Sequence, residues 1–355
     1  MKSNFDFLNR YWPALAQIGA TAETYVYSDP NACIYKLGMF AERLVQEILV
    51  FEHIAEPAVD NTHANRIRIL KRAGLLPHEI DNTLYVLRKT RNSAVHIGTD
   101  SVDEAKTLLS LTYNLAVWFM ETYGDWGYIA PEFVMPSETT REDLESVIAE
   151  QERKIEELTK QLAVVKTAAS GKTQKERARR SESVSAMMNW NEAQTRCLID
   201  EQLRLSGWEA DTQNLRYSKG TRPVKGRNIA ISEWPTNSAF YKNGYADYAF
   251  FVGEKLVALM DAKKMSEDVA STIDVQVKDY AAHIKPEDIP HTVGNWNGYQ
   301  VPFLFASNGR AYLEQLRTKS GIWFLDVREQ ENQPYPIRNW FSPSDLMEKL
   351  GQNTA

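Results

Sequence analysis

Two carboxylates and an ammonium stand in a stretch otherwise fit for a protein core. ADYAFFVGEKLVALMDAKK, residues 246–264, is apolar on both sides of a short VGEK turn, yet it carries Asp247, Asp261 and Lys263. Side chains alternate along a strand, so Asp261 and Lys263 point to one face, about 7 Å apart. With a loop centred on Glu254, an antiparallel hairpin pairs Phe251 with Val257 and Asp247 with Asp261. Two carboxylates side by side repel, and one takes up a proton unless a cation lies between them. A hard divalent ion with oxygen ligands removes that conflict, and Mg²⁺ suits it. Lys263 would then position or deprotonate a water, or stabilise charge on a phosphate under attack. The chemistry this favours is metal-assisted phosphodiester hydrolysis. The plainer alternative is that the charges sit at frayed strand ends in solvent.

Other polar groups surround this hairpin in sequence. In DVQVKDYAAHI, Gln276 and Tyr280 lie four apart, on one face of a helix. Just before the hairpin, Arg216, Lys219, Arg222, Lys225 and Arg227 crowd one loop. Such a loop can grip phosphates, adding affinity and salt dependence without sequence preference. Tyr217 and Trp234 beside it offer rings for base stacking or for core packing. The preceding helix supplies three acids, Glu192, Asp200 and Glu201, which a solvated helix face would also explain. Near residue 90, RNSAVH places Arg91 and His96 about one and a half helical turns apart, with Asn92 between.

The elements that must position these groups fall into three stretches. Residues 1–128 read as an all-α bundle, with apolar residues of ACIYKLGMFAERLVQEILVFEHI at helical spacing and a capping box from Ser101 to Glu104. Residues 129–186 read as a helical arm and basic linker. Leu144, Ile148, Gln151, Ile155, Leu158, Leu162 and Val165 form a short coiled-coil seam, either a rigid arm packing on another helix or a dimerisation zipper, and KTAASGKTQKERARRSES looks like linker. SGKT lacks the second glycine and the strand of a P-loop, so no nucleotide site is expected there. Residues 187–355 begin with a helix ending at Gly207. A mostly loop segment, LRYSKGTRPVKGRNIAISEW, leads into the two strands of the hairpin, then a helix over 267–284 and strands near YQVPFLFASNG and SGIWFLDV. That order gives an α/β domain with a mixed central sheet.

Bulk composition narrows the classes. The 355 residues are 43% hydrophobic and 11% aromatic, enough for real cores. No apolar run approaches a membrane span, the N-terminal stretch is no signal peptide, and Cys33 and Cys197 offer no disulfide framework or metal spacing, so the cytoplasm is the expected compartment. A net charge of -6 confines any nucleic-acid contact to a local basic patch.

Asp247, thirteen intervening residues, then Asp261-Ala262-Lys263 resembles the PD-(D/E)XK nucleases, although Ala246 stands where a proline often precedes the first acid. Gln276-x-x-x-Tyr280, thirteen residues beyond Lys263, resembles the RecB-like branch, where such a pair contacts or orients DNA. RYSKGTRPVKGRNIAISEWPT, GYADYAFFVG and KSNFDFLNRYWPALA resemble the N-terminal part of the R subunit of type I restriction-modification enzymes, over essentially the whole chain. The resemblance implies a restriction-endonuclease-like domain with Asp247, Asp261, Lys263, Gln276 and Tyr280 catalytic. It implies Mg²⁺ held by Asp247, Asp261 and the Ala262 main-chain carbonyl, with Glu192 as a further ligand. It also implies double-stranded DNA as substrate, methyltransferase and specificity subunits as partners, and an ATP-driven motor that would follow residue 355. Arg91, four residues and His96 resemble the motif of HEPN domains, some of which are ribonucleases. The alternatives are therefore a partner-docking module inactive as a nuclease alone, and a ribonuclease built on Arg91 and His96.

Overall fold

The computed structural model describes residues 3–56, 60–96, 101–138, 141–159, 167–188, 190–238, 244–265, 267, 269–312, 314 and 317–351. They form two units, Met1–Met188 and Asn189–Ala355.

The first unit is helical. Its helices are α1 (Pro13–Tyr25), α2 (Pro30–Phe51), α3 (His63–Arg72), α4 (His78–His96), α5 (Val102–Phe119), α6 (Arg141–Thr159) and α7 (Gln174–Met187). Capping residues start them where the sequence places them. Asp29 accepts from the Ala32 N–H at the head of α2, and Ser101 from the Glu104 N–H at the head of α5. The core runs through Leu37, Phe40, Leu44 and Ile48 on one face of α2, against Leu108, Leu115 and Phe119 of α5. The coiled-coil seam lies on the bundle as α6: Ile155 is buried, Gln151 accepts from Thr24, and Glu152 takes the Lys36 ammonium at 2.6 Å. Leu162 and Val165 of that seam lie outside the described residues.

The expected basic linker is a correction, because most of it is α7. Thr173 of SGKT caps that helix, accepting from the Glu176 N–H at 3.2 Å while Glu176 accepts from the Thr173 N–H at 2.7 Å. Small residues on one face let α7 approach the bundle, where Ser181 accepts from the Trp118 indole, and Arg177 pairs with Glu52. Composition suggested a solvated segment; the burial of Arg177, Ser181 and Ser185 made it a helix.

In the second unit, α8 (Glu192–Leu205) opens with an Asn191 cap and closes before Gly207, whose φ of 92° suits a residue without a Cβ. The strands β1 (Glu209–Ala210), β2 (Asn228–Pro235), β3 (Tyr245–Val252), β4 (Lys255–Ala262), β5 (Phe303–Ser307), β6 (Ile322–Asp326) and β7 (Tyr335–Pro336) make one seven-stranded sheet in sequence order. The β1–β2 and β4–β5 pairs are parallel and the others antiparallel, so the sheet is mixed. Between β4 and β5 run α9 (Ala270–Thr272), a π-turn (Ile273–Val277) and α10 (Lys278–Ala282); α11 (Pro343–Gly351) follows the sheet. The helix expected over 267–284 runs over 270–282 without interruption, and its centre is wound with π geometry, a form often found at functional sites.

Two further expectations are corrected. The last third of the segment read as mostly loop is β2, whose Ile229, Ala230 and Ile231 are buried on both faces and whose run is short enough to be masked by the basic residues before it. In the hairpin, Phe251 pairs with Leu256 rather than Val257, because the turn is the two-residue Gly253-Glu254 with Gly253 at φ 61°. A bulge between Phe250 and Phe251 takes up the extra residue, and from Tyr248–Met260 onward the register is the expected one. One face of the sheet buries Ala249, Phe251 and Leu259 under Ile273, Val277 and Tyr280; the other buries Phe250, Met260 and Phe305 under Ile199 and Leu203 of α8. Each fully buried Phe or Leu is worth about 1.5–3 kcal/mol relative to exposure. The sheet can thus carry a few unfavourably buried charges.

Candidate active site

The register continued one step past Tyr248–Met260 sets Asp247 opposite Asp261, at the ends of β3 and β4. Continued the same way between Ser232–Tyr248 and Trp234–Ala246, the β2 register sets Glu233 opposite Asp247 on the other side. Three neighbouring strands therefore place Glu233, Asp247 and Asp261 in one row. Glu233 holds φ 53°, a left-handed backbone that a residue with a Cβ adopts at a cost of about 1–3 kcal/mol. After it, Trp234 packs in the same cluster as Ile229 and Ile231, its ring against Tyr217 and Phe251, so these two aromatic residues serve the core.

Hydrogen bonds fix the row. Asp247 Oδ2 accepts the Ala262 N–H at 2.7 Å, and its Oδ1 contacts Arg196 of α8. Asp261 Oδ1 accepts from Gln276 Nε2 at 2.9 Å. Asp261 Oδ2 is buried without a hydrogen bond, with Lys263 Nζ at 2.6 Å as its ion partner. Gln276 ties the group together: its Oε1 accepts from Lys263 Nζ at 2.9 Å, and its Nε2 also donates to the Tyr280 hydroxyl at 2.7 Å. The amide dipole thus lies with its oxygen to the ammonium and its nitrogen to the carboxylate, the favourable sense at both ends. All five predicted catalytic residues, with Ala262 and Glu192, line one cleft of about 510 Å³.

The electrostatics are those of crowded acids. Burial pushes Asp247 above the ordinary carboxylate range; Arg196 opposes the shift and Asp261 adds to it. Burial also raises Asp261, opposed chiefly by Lys263. Even with Arg196 at Asp247 and Lys263 at Asp261, burial keeps both carboxylates raised, and such a pair gains from an added cation.

The helix acids separate by environment. Glu192 is exposed on the cleft wall and pairs with Arg196 at 2.7 Å. Asp200 is buried, accepting from Thr212 and from the Tyr248 hydroxyl, and burial raises its pKa to about 6. Glu201 is buried beside Arg204. In the basic loop, Arg216 pairs with Glu233 at 3.1 Å, Arg227 with Glu209, and Arg222 stacks on the Tyr217 ring, whereas Lys219 and Lys225 are exposed. In the helical unit, Arg91 is bound to Glu42, which also takes Arg66; the His96 side chain lies outside the described residues. Sequence reasoning missed Arg196 and Glu233. The signal for Arg196 was its position one turn beyond Glu192, and for Glu233 the shared register with Asp247.

Residues 209–350, which hold the row from Glu233 through Tyr280, match the family model for the type I restriction enzyme EcoKI endonuclease subunit second domain. The chain is similar to the type I restriction endonuclease subunits. It is 29% identical to the type I restriction enzyme EcoKI endonuclease subunit of Escherichia coli (strain K12) over 424 aligned residues, which cover 99% of this chain. The chain spans 36% of the length of that curated relative. No solved structure matches it. Arg196 and Glu192 lie outside the matched segment, although Arg196 contacts Asp247 and Glu192 pairs with Arg196. Among the described residues, no helix is long and apolar enough to cross a membrane.

Proposed function

We propose that this chain is the nuclease-bearing part of a type I restriction R subunit and hydrolyses phosphodiester bonds of double-stranded DNA with Mg²⁺. The observation that carries the reading is the opposed pair Asp247 and Asp261, with Lys263 joined to Asp261 directly and through Gln276.

The donor set fits a hard divalent ion. The buried Asp261 Oδ2 meets the Lys263 ammonium at 2.6 Å, and every candidate ligand is oxygen: Asp247, Asp261 and the Ala262 carbonyl. Among the described residues, no group of three or more His, Cys, Asp or Glu is gathered as a closed metal cage. Two carboxylates with the remaining positions left to water is the way Mg²⁺ is commonly held. Glu192 lines the same cleft on an exposed side chain, already paired with Arg196. When bound, the ion would polarise the phosphate and make its water more acidic.

The chain's own groups would do the rest. Lys263 Nζ, anchored by Asp261 and Gln276, would donate to a non-bridging phosphate oxygen or orient the attacking water. Gln276 fixes where that ammonium points, and the Tyr280 hydroxyl fixes Gln276. Lys219 and Lys225 would meet backbone phosphates. Recognition of the DNA sequence would rest with the specificity subunit, methylation with the methyltransferase subunit, and ATP-driven translocation with the motor of the longer relatives. The helical unit would serve as the adaptor.

The test is cleavage of double-stranded DNA by the purified chain, alone and with partner subunits and motor, with Mg²⁺ and with excess chelator. DNA ends that appear only with the metal are expected. Metal-independent cleavage of RNA instead would contradict the reading and favour chemistry at Arg91 and His96.

A further inference from the structure

Arg196 is the positive charge that the fold itself brings to Asp247. Its Nη2 contacts Asp247 Oδ1 and stands 2.7 Å from Glu192 Oε1, and its Nη1 lies 3.7 Å from Glu233 Oε1. The side chain is only 15% exposed, yet its buried Nε has no hydrogen-bond partner. One guanidinium is therefore shared by three carboxylates and saturated by none.

That sharing has a consequence for a divalent ion. Asp247 Oδ2 is taken by the Ala262 N–H, and the guanidinium sits at Oδ1. A dication held by Asp247 and Asp261 would share Asp247 with the guanidinium, and like charges in a half-buried cleft repel strongly. The chain offers the guanidinium somewhere else to go. Glu192 already touches it with a side chain 52% exposed, and Glu233 is near with one 34% exposed. Glu233 keeps its left-handed backbone at this point of the row and reaches both Arg196 and Arg216.

We propose that Arg196 is a tethered counter-cation. It holds Asp247 in the metal-free site, and a divalent ion entering the cleft displaces it onto Glu192 and Glu233. Arg196 is thus a positioning residue that sets how tightly the site takes metal. The proposal rests on the reading of Asp247 and Asp261 as metal ligands.

The experiment is calorimetric titration of the full chain with Mn²⁺ and Mg²⁺, with circular dichroism to verify folding. Arg196→Gln should bind the ion about 10-fold tighter or more, because the competing charge is gone. Arg196→Lys, which keeps a charge but cannot span three carboxylates, should fall between. Glu233→Gln should bind several-fold more weakly, because the displaced guanidinium loses a receiving carboxylate. Unchanged or weaker binding by Arg196→Gln, with binding still lost in Asp261→Asn, would overturn the proposal and leave the metal site standing. Binding by Asp261→Asn equal to the native chain, or no binding by any form including Arg196→Gln, would overturn both. Should Arg196→Gln fail to fold, Glu233→Gln decides: native affinity in that variant would overturn the proposal.

Discussion

Each unit of this molecule buries an arginine against an acid, and the two are built differently. In the helical unit, Arg177 meets Glu52 through Nε at 2.7 Å and Nη2 at 2.5 Å. Its Nη1 donates to the carbonyls of Lys172 and Ala169, and the guanidinium lies over the Phe51 ring. One acid, one base and filled donors describe a structural pair. In the α/β unit, Arg196 is divided among Asp247, Glu192 and Glu233 with Nε unfilled, beside carboxylates that burial pushes upward. A saturated buried arginine holds a fold together. Arg196 instead lies on the wall of a cleft lined by acids, where the proposed metal would bring a further charge.

The largest effect that would break this contrast lies in the helical unit. Arg177→Met strands the buried Glu52 carboxylate and should cost about 3–5 kcal/mol in chemical denaturation, with no change in metal affinity. A metal response altered as much as by Arg196→Gln would erase the distinction. Next, Gln276→Ala removes the group joining Lys263 to Asp261, and single-turnover cleavage should fall about 10²-fold while the melting temperature barely moves. Normal cleavage would mean that the amide only fills space.

Asp200 gives a pH test of a buried acid that the catalytic reading does not use. Its pKa in the folded chain is about 6, above the roughly 3.9 of an unfolded aspartate, so the folded state holds the proton more tightly. Its stabilising contribution is therefore fullest below pH ~4 and is lost as pH rises through about 6. Relative to Asp200→Asn, the native chain should lose about 2–3 kcal/mol of stability between those limits. A difference flat with pH would show that Asp200 is not strained by burial. Smallest, Lys219→Ala and Lys225→Ala should each lower the slope of log affinity for DNA against log salt by about one. Unchanged slopes would take the exposed lysines out of the DNA path.

The sequence held much of this site because its geometry is local. The period of two along β4 puts Asp261 and Lys263 on one side, and a short turn folds Asp247 back beside Asp261. The interval of four from Gln276 to Tyr280 survives even though the backbone there is a π-turn. What stayed hidden depends on longer range. Arg196 reaches Asp247 across 51 residues, and Glu233 enters the row only when β2 is known as a strand. The bulge after Phe250 could not be read because apolar side chains on both faces of β4 leave the alternation without contrast. In the helical unit, basic composition concealed α7, whose burial depends on small residues and on Arg177 finding Glu52.

The most direct test of the central claim is nicking of supercoiled plasmid in Mg²⁺ or Mn²⁺ by the native chain, Asp261→Asn and Lys263→Ala, each with motor and partner subunits supplied. The account predicts metal-dependent nicking by the native chain and a loss of about 10²–10⁴-fold in both variants, each still folded. Nicking that persists at the native rate in both would contradict it and place the reacting metal elsewhere.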